Sequence, residues 1–228
     1  DGLGHSSLDA HPEFSSQVRP NSRVGLGGLV EVFPEFYRTG TIYMGIGHGG
    51  YVGLVRVEDE RLNVAAAVDA ALVREQHSPA KALQALLREA GFPPIAALDQ
   101  TAWQGTLPLT RCSPRLADRR LLLLGDAAGY VEPFTGEGIA WALTAASQIA
   151  PFAIRGLADW TEQLENEWTL EMRRRVTRRQ RWCRRLALAL RFPRVCRGLL
   201  ATISLAPRLA QPVIRALNAP PLSAEGLI

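Results

Sequence analysis

The stretch GDAAGYVEPFTGEGI, residues 125 to 139, constrains this chain more than any other. It follows the leucines 121 to 124, a short apolar run that predicts a strand buried on both faces. Such a strand would deliver Gly125 and Asp126 to its carboxyl end, where open α/β sheets bind ligands. A carboxylate there only accepts hydrogen bonds, so hydroxyls and amides are its natural partners. Ala127, Ala128 and Gly129 carry almost no side chain and let a ligand approach the backbone. Pro133 stiffens the loop, and Gly136, Glu137 and Gly138 open a helix whose first amides have no partner within it. Those amides, with the positive end of the helix dipole, suit an electron-rich group. Ala140, Ala142, Ala145 and Ala146 would let the helix pack closely on the sheet. A plain strand-loop-helix crossover accounts for the same residues, and both readings stand at this point.

The rest of the chain divides by pattern. RVGLGGLVEVF, GTIYMGIG, GYVGLVRVE and RLNVAAAVD, between residues 23 and 69, are apolar or alternating runs separated by turn residues, and they predict strands. The EDE at 58 to 60 marks a hairpin turn. Residues 78 to 90 predict a helix, with Ser78 as N-cap, Pro79 at the first position, Leu83, Leu86 and Leu87 on one stripe, and Gly91 as the stop. TAWQGTLPLT, from Thr101, looks extended. Helical patterning resumes from Gly136 to about residue 153 and from Ala158 to about Arg191. Pro193, Pro207 and Pro212 then break the chain into shorter helices.

GIGHGG, residues 45 to 50, fits G-x-G-x-x-G, with Asp69 at about the spacing of a ribose-binding acid. That fingerprint needs a helix after its glycines. YVGLVRVE is rich in β-formers, so a glycine-rich strand connection is the better reading.

Of the 228 residues 47% are hydrophobic and 21% charged, a globular composition. The net charge of +4 is an arginine effect, since Lys81 is the only lysine and many arginines fall between Arg173 and Arg185. This is a basic face, and no zinc spacing or RNA-binding motif supports a nucleic-acid partner. Cys112, Cys183 and Cys196 lack metal-ligand spacing and read as reduced thiols of a cytoplasmic protein. No secretory signal or membrane span is evident. The chain opens DGLGHSSLD without methionine, which reads as a piece of a longer protein.

GDAAGYVEPFTGEGI resembles the second FAD motif of flavoproteins related to the aromatic hydroxylases, and within them the geranylgeranyl reductase pattern G-D-A-A-G-x-x-x-P-x-x-G-E-G-I. GGYVGLVRVEDERLNVAA is similar to that group's substrate-domain hairpin. GTLPLTRCSPRLADRRLLLLGD is similar to the segment leading into its FAD motif, and Asp1-Gly2 resembles its D-G motif. The resemblance covers residues 1 to about 155. It implies an α/β (α+β) fold, with part of a Rossmann-like FAD domain, a mostly antiparallel substrate sheet and a helical C-terminal region. The corresponding boundaries are 1–22, 23–110, 111–155 and 156–228.

The resemblance further implies FAD as cofactor. Its ribitol would lie at Asp126, its ring against Pro133 and against Gly136, Glu137 and Gly138, and its pyrophosphate near Asp1 and Gly2, with Gly125, Ala127 and Ile139 as further cofactor-binding residues. The chemistry would be reduction of an isoprenoid double bond or hydroxylation of an aromatic ring, on a small apolar substrate, with NADPH as a candidate reductant. A flavin-dependent halogenase belongs to the same larger group, although no W-x-W-x-I-P-like stretch is present. The group's N-terminal dinucleotide fingerprint does not precede Asp1, so a C-terminal portion without activity of its own is an alternative expectation.

No residue identifies itself as a catalytic acid or base. His48 reads first as a turn residue, His5 is uncommitted, and Trp141 reads as core. Trp103 falls near the sheet expected to cover flavin and substrate. The helix over Arg173–Arg185, with Trp182, Leu186, Leu188 and Leu190, reads as solvated and packed by its apolar side. A peripheral contact with an anionic membrane face is its other reading. No obligate protein partner is evident.

Overall fold

The computed structural model describes Leu8 and residues 11–211. A short strand β1 (Gln17–Val18) precedes β2 (Val24–Val30), β3 (Ile42–Gly47), β4 (Gly50–Arg56) and β5 (Leu62–Val68). Two helices, α1 (Ala70–Gln76) and α2 (Pro79–Glu89), lead to β6 (Gln104–Pro108). β2 to β6 form one antiparallel sheet in the order β3-β4-β5-β2-β6. Residues 45 to 50 close the β3–β4 hairpin, with Gly47 opposite Gly50, so the glycines there serve a strand connection. The EDE turn closes β4 onto β5, where Glu60 adopts φ +63.

Successive side chains of a strand point to opposite faces. Val52, Leu54, Leu62, Val64 and Val68 share one face and are fully buried against Leu83, Leu86 and Leu87 of α2. Burying each of those leucines stabilises by about 1.5–3 kcal/mol, which is what the leucine stripe is for. The other face carries Met44, Tyr51, Gly53, Asn63 and Ala65, and Ile42 and Met44 remain exposed. It is this face that turns to the 125–139 segment. No sequence pattern marks helix α1, since AALVREQ is short and buries no residue.

After β6 come β7 (Arg111–Cys112), β8 (Ala117–Asp118), β9 (Leu121–Leu122), a single turn α3 (Gly125–Ala128) and β10 (Gly129–Tyr130). β7 pairs with both β1 and β10, joining the start of the chain to the GD segment. The strand expected over residues 121 to 124 is corrected here. β9 has two residues, and its partner is the antiparallel β8. Arg119 and Arg120 adopt left-handed backbone (φ +46 and +65), which folds the chain into a tight hairpin. Leu123 then donates its amide to Leu116 at 2.8 Å. Asp126 therefore sits in the first turn of α3, not at the end of a parallel strand.

Helix α4 (Gly138–Ala158) starts two residues after Gly136 and extends past residue 153. It meets α3 and α5 (Glu162–Met172), and its Trp141 and Ala145 belong to one core with Ala117 and Leu122 of the β8–β9 pair. Of the four alanines Ala145 is buried, Ala142 half-buried, and Ala140 and Ala146 exposed, so only part of the small-residue stripe packs. Thr161 caps α5 by accepting from the Leu164 amide at 3.2 Å. A π-helical stretch (Arg173–Thr177) continues into α6 (Arg178–Ala189), and α7 (Pro193–Leu205) follows. Met172, Val176, Gln180, Cys183 and Ala187 face inward. Arg173, Arg174, Arg178, Arg181 and Arg185 are exposed. Of the apolar residues on this stretch Leu190 is buried, whereas Trp182 and Leu188 are exposed. Pro193 and Pro207 each open a helical turn, and Pro212 lies outside the described residues. Trp141 joins Leu116, Leu122, Leu164 and Trp168 in a second core, as its core reading required.

Candidate functional site: two clefts sharing one loop

The GD segment is held from behind. Trp168 Nε1 donates to the Leu123 carbonyl at 3.1 Å, and Ser113 Oγ to the Ala127 carbonyl at 2.7 Å, both within buried surroundings. Ala127 itself is fully buried with Leu8, Phe14 and Leu123. Gly125 adopts φ +57, and this left-handed backbone is what favours glycine, since a Cβ there would make only ordinary contact, 3.8 Å from Ala142 Cβ. Gly136 adopts φ +70 with nothing within 4 Å of a Cβ, so its backbone, not space, calls for glycine.

These elements enclose a cleft of about 390 Å³ between α3, the loop and the start of α4. Of the residues singled out in the sequence, Gly125, Asp126, Pro133, Gly136, Gly138 and Ile139 line it, together with Tyr130. Burial, and then the Asp126 charge, push the Tyr130 hydroxyl above its usual pKa. Ala127 lies behind the cleft. Glu137 turns away, accepting from Cys183 Sγ at 2.9 Å. Burial first, then Glu137, push that thiol up to about 11. Asp1, Gly2 and His5 lie outside the described residues.

A second cleft, of about 340 Å³, lies on the open face of the sheet. Ile42 and Met44 of β3, Tyr51, Gly53 and Val55 of β4, and Asn63 and Ala65 of β5 form its floor. Gly53 and Ala65 keep that floor low. The opposite wall is Pro133, Phe134, Thr135 and Gly136. Pro133 and Gly136 thus belong to both clefts, so one loop separates a polar-edged space at Asp126 from an apolar one over the sheet.

What fixes that loop was not singled out in the sequence. Arg23, fully buried, donates through Nη1 to Glu132 Oε1 at 3.4 Å, and Glu132 directly precedes Pro133. Arg23 Nε lies 3.6 Å from Asp69, which also pairs with Arg191 at 3.1 Å. The Arg23 guanidinium stands over the Tyr51 ring at 5.5 Å, and that ring meets Phe134 edge-on at 5.1 Å. Burial raises the pKa of Glu132, against the lowering effect of Arg23. Burial and the Glu132 charge raise that of Tyr51. An arginine opening an apolar strand was the available signal. Its partner could not be read, because 109 residues separate the two.

The histidine and tryptophan candidates are placed elsewhere. His48 is an exposed turn residue whose amide and Nδ1 meet Glu89 Oε2 at 2.7 and 2.9 Å. Trp103 Nε1 donates to the Leu98 carbonyl at 3.0 Å, against the α2 side of the sheet.

No family model and no curated protein matches the chain. Solved structures do match. The flavin-dependent brominase Bmp2 superposes with a TM-score of 0.70 at 13% identity, over 99% of this chain and 58% of that one. An HpxO variant of Klebsiella pneumoniae complexed with FAD gives 0.63 at 20%, over 92% and 57%. PqsL, a probable FAD-dependent monooxygenase from Pseudomonas aeruginosa, gives 0.60 at 17%, over 88% and 57%. The chain spans less than six-tenths of the length of each. The fold is mixed α/β with antiparallel sheets, and it matches the fold of these three structures over the shared length.

Proposed function

We propose that this chain forms the flavin-side and substrate-side walls of a FAD-dependent oxidoreductase acting on an apolar substrate. The observation that carries the reading is the shared loop. The cleft at Asp126 and the apolar cleft over the sheet meet at Pro133 and Gly136. FAD suits the first cleft on its chemistry: a carboxylate acceptor for ribitol hydroxyls beside a glycine-lined floor, with nothing within 4 Å of a Cβ at Gly136 or Gly138. When bound there, FAD would carry the electrons of the reaction.

The chain's own contribution is position and environment. Asp126 orients the polar chain of the cofactor, and Pro133 and Gly136 set how closely substrate lies to the ring. The Met44, Tyr51 and Val55 side chains give the second cleft an apolar floor. The Arg23–Glu132 pair holds the loop to the sheet.

Aromatic hydroxylation and isoprenoid double-bond reduction are the two reactions proposed for this site, with NADPH as reductant. The structural neighbours favour the hydroxylase side, and the GEGI ending favours the reductase. A halogenase is a third reading, favoured by the superposition on Bmp2. In a further reading the chain supplies only part of such an enzyme and is inactive alone, which the 57–58% span of its neighbours favours. Titrating the purified chain with FAD and with riboflavin, and recording the absorbance near the flavin bands, tests the proposal. A saturable band shift supports it, and unchanged spectra with both flavins oppose it.

Peripheral attachment to an anionic membrane is proposed through the helix over Arg173–Arg185, with the exposed apolar residues that follow it beside it. Trp182, Leu188, Phe192, Leu199 and Leu200 are exposed beside the arginines. Among the described residues no helix is long and apolar enough to cross a membrane.

A further inference from the structure

A third pocket, of about 180 Å³, lies on the other side of the residues that precede Pro133. Its walls come from the turn after β1, from Val131 and Glu132, and from the end of α6. It shares no residue with the cleft at Asp126. Three arginines, Arg19, Arg184 and Arg191, line it.

Their charges are only partly answered. Arg191 is paired with Asp69 and donates to the Asn21 carbonyl. Among the described residues no carboxylate pairs with Arg19 or Arg184. Among the described residues Arg184 reaches only Gln180 Oε1, at 3.4 Å, and its buried Nε has no hydrogen-bond partner there. Burial and the neighbouring Arg19 charge both act against the Arg184 cation. Leaving a charged donor desolvated and unpaired is costly, and a bound anion removes the cost.

The charge count sets the anion. Arg19, Arg184 and Arg191 in the pocket and the buried Arg23 behind it carry four positive charges against the two carboxylates Glu132 and Asp69, which pair with Arg23 and Arg191, an excess of two. Guanidinium groups match phosphate oxygens in geometry and hold them bidentately. We propose that this pocket binds the dianion of a phosphate monoester through Arg19, Arg184 and Arg191. The ester belongs either to a soluble phosphorylated metabolite or to a lipid headgroup. The exposed Leu188 on the rim and Trp182 on the same helix make the lipid source chemically consistent.

Calorimetric titration of the full chain with inorganic phosphate, at about pH 8 where the anion is doubly charged, tests the site against sodium chloride of equal ionic strength. Saturable binding should appear with phosphate and not with chloride, and Arg19→Gln and Arg184→Gln should each weaken it about tenfold. Arg19 is exposed, so its variant reports on binding even if the Arg184 variant folds poorly. Sedimentation with phosphatidic-acid vesicles separates the sources. Uptake that phosphate displaces assigns the lipid, and phosphate binding without uptake assigns a soluble ester. Phosphate that binds no better than chloride, or equally in the wild type and Arg19→Gln, overturns the proposal.

Discussion

Arg23 and Glu132 meet at 3.4 Å in the interior, joining the first residue before β2 to the residue before Pro133. With the two groups 0% and 5% exposed, the pair stands on both sides of the junction between sheet and loop. Breaking a buried ion pair from one side leaves the other charge uncompensated, at about 3–5 kcal/mol. Arg23→Met should lose a large part of that in urea denaturation. The double variant Arg23→Met/Glu132→Leu should recover part of it. A single variant within 0.5 kcal/mol or so of the wild type would mean that the pair does not hold the loop.

The same pair gives a pH dependence. Burial raises the folded-state pKa of Glu132 above its ordinary 4.5, so the native state keeps the proton longer than the unfolded chain. The contribution of this group is therefore fully present below the ordinary value and is lost as pH rises through the raised one. Denaturation of the wild type and of Glu132→Gln, compared from about pH 4 to pH 7, should show the wild type losing stability relative to the variant. A difference that grows in favour of the wild type would reverse the assigned sign.

Filling the sheet-side cleft should separate substrate from flavin. Ala65→Leu adds bulk to the floor and touches no residue at Asp126. It should weaken capture of an apolar dye such as anilinonaphthalene sulfonate by about tenfold and leave flavin spectra unchanged. Equal dye binding in both proteins would place the apolar site elsewhere.

Trp168 supports the GD segment from the second core. Trp168→Phe keeps most of the packing and removes the donor to the Leu123 carbonyl. A buried carbonyl left unpaired costs about 1–3 kcal/mol, which thermal denaturation would read directly. A substitution that leaves the melting temperature unchanged would show that the bond contributes nothing.

Much of this could be read before the fold was seen, and the reason is periodicity. The stripe of Leu83, Leu86 and Leu87 and the alternation of β4 and β5 depend on residues near one another in sequence. The left-handed backbone at Gly125 and Gly136 was not legible, since a glycine alone does not show which φ it adopts. The leucine run at 121 to 124 misled, because an apolar run does not reveal its partner. The left-handed Arg119 and Arg120 instead fold it into a hairpin with β8. The Arg23–Glu132 pair and the grouping of Arg19 with Arg184 and Arg191 were not legible, since charges brought together across a hundred residues leave no local pattern.

Flavin fluorescence during a FAD titration of the wild-type chain and of Asp126→Ala tests the central claim most directly. The account predicts saturable quenching by the wild type and binding weaker by about tenfold or more in the variant, since the carboxylate supplies charge-assisted hydrogen bonds to the ligand. Quenching identical in the two proteins, or absent from both, would contradict it.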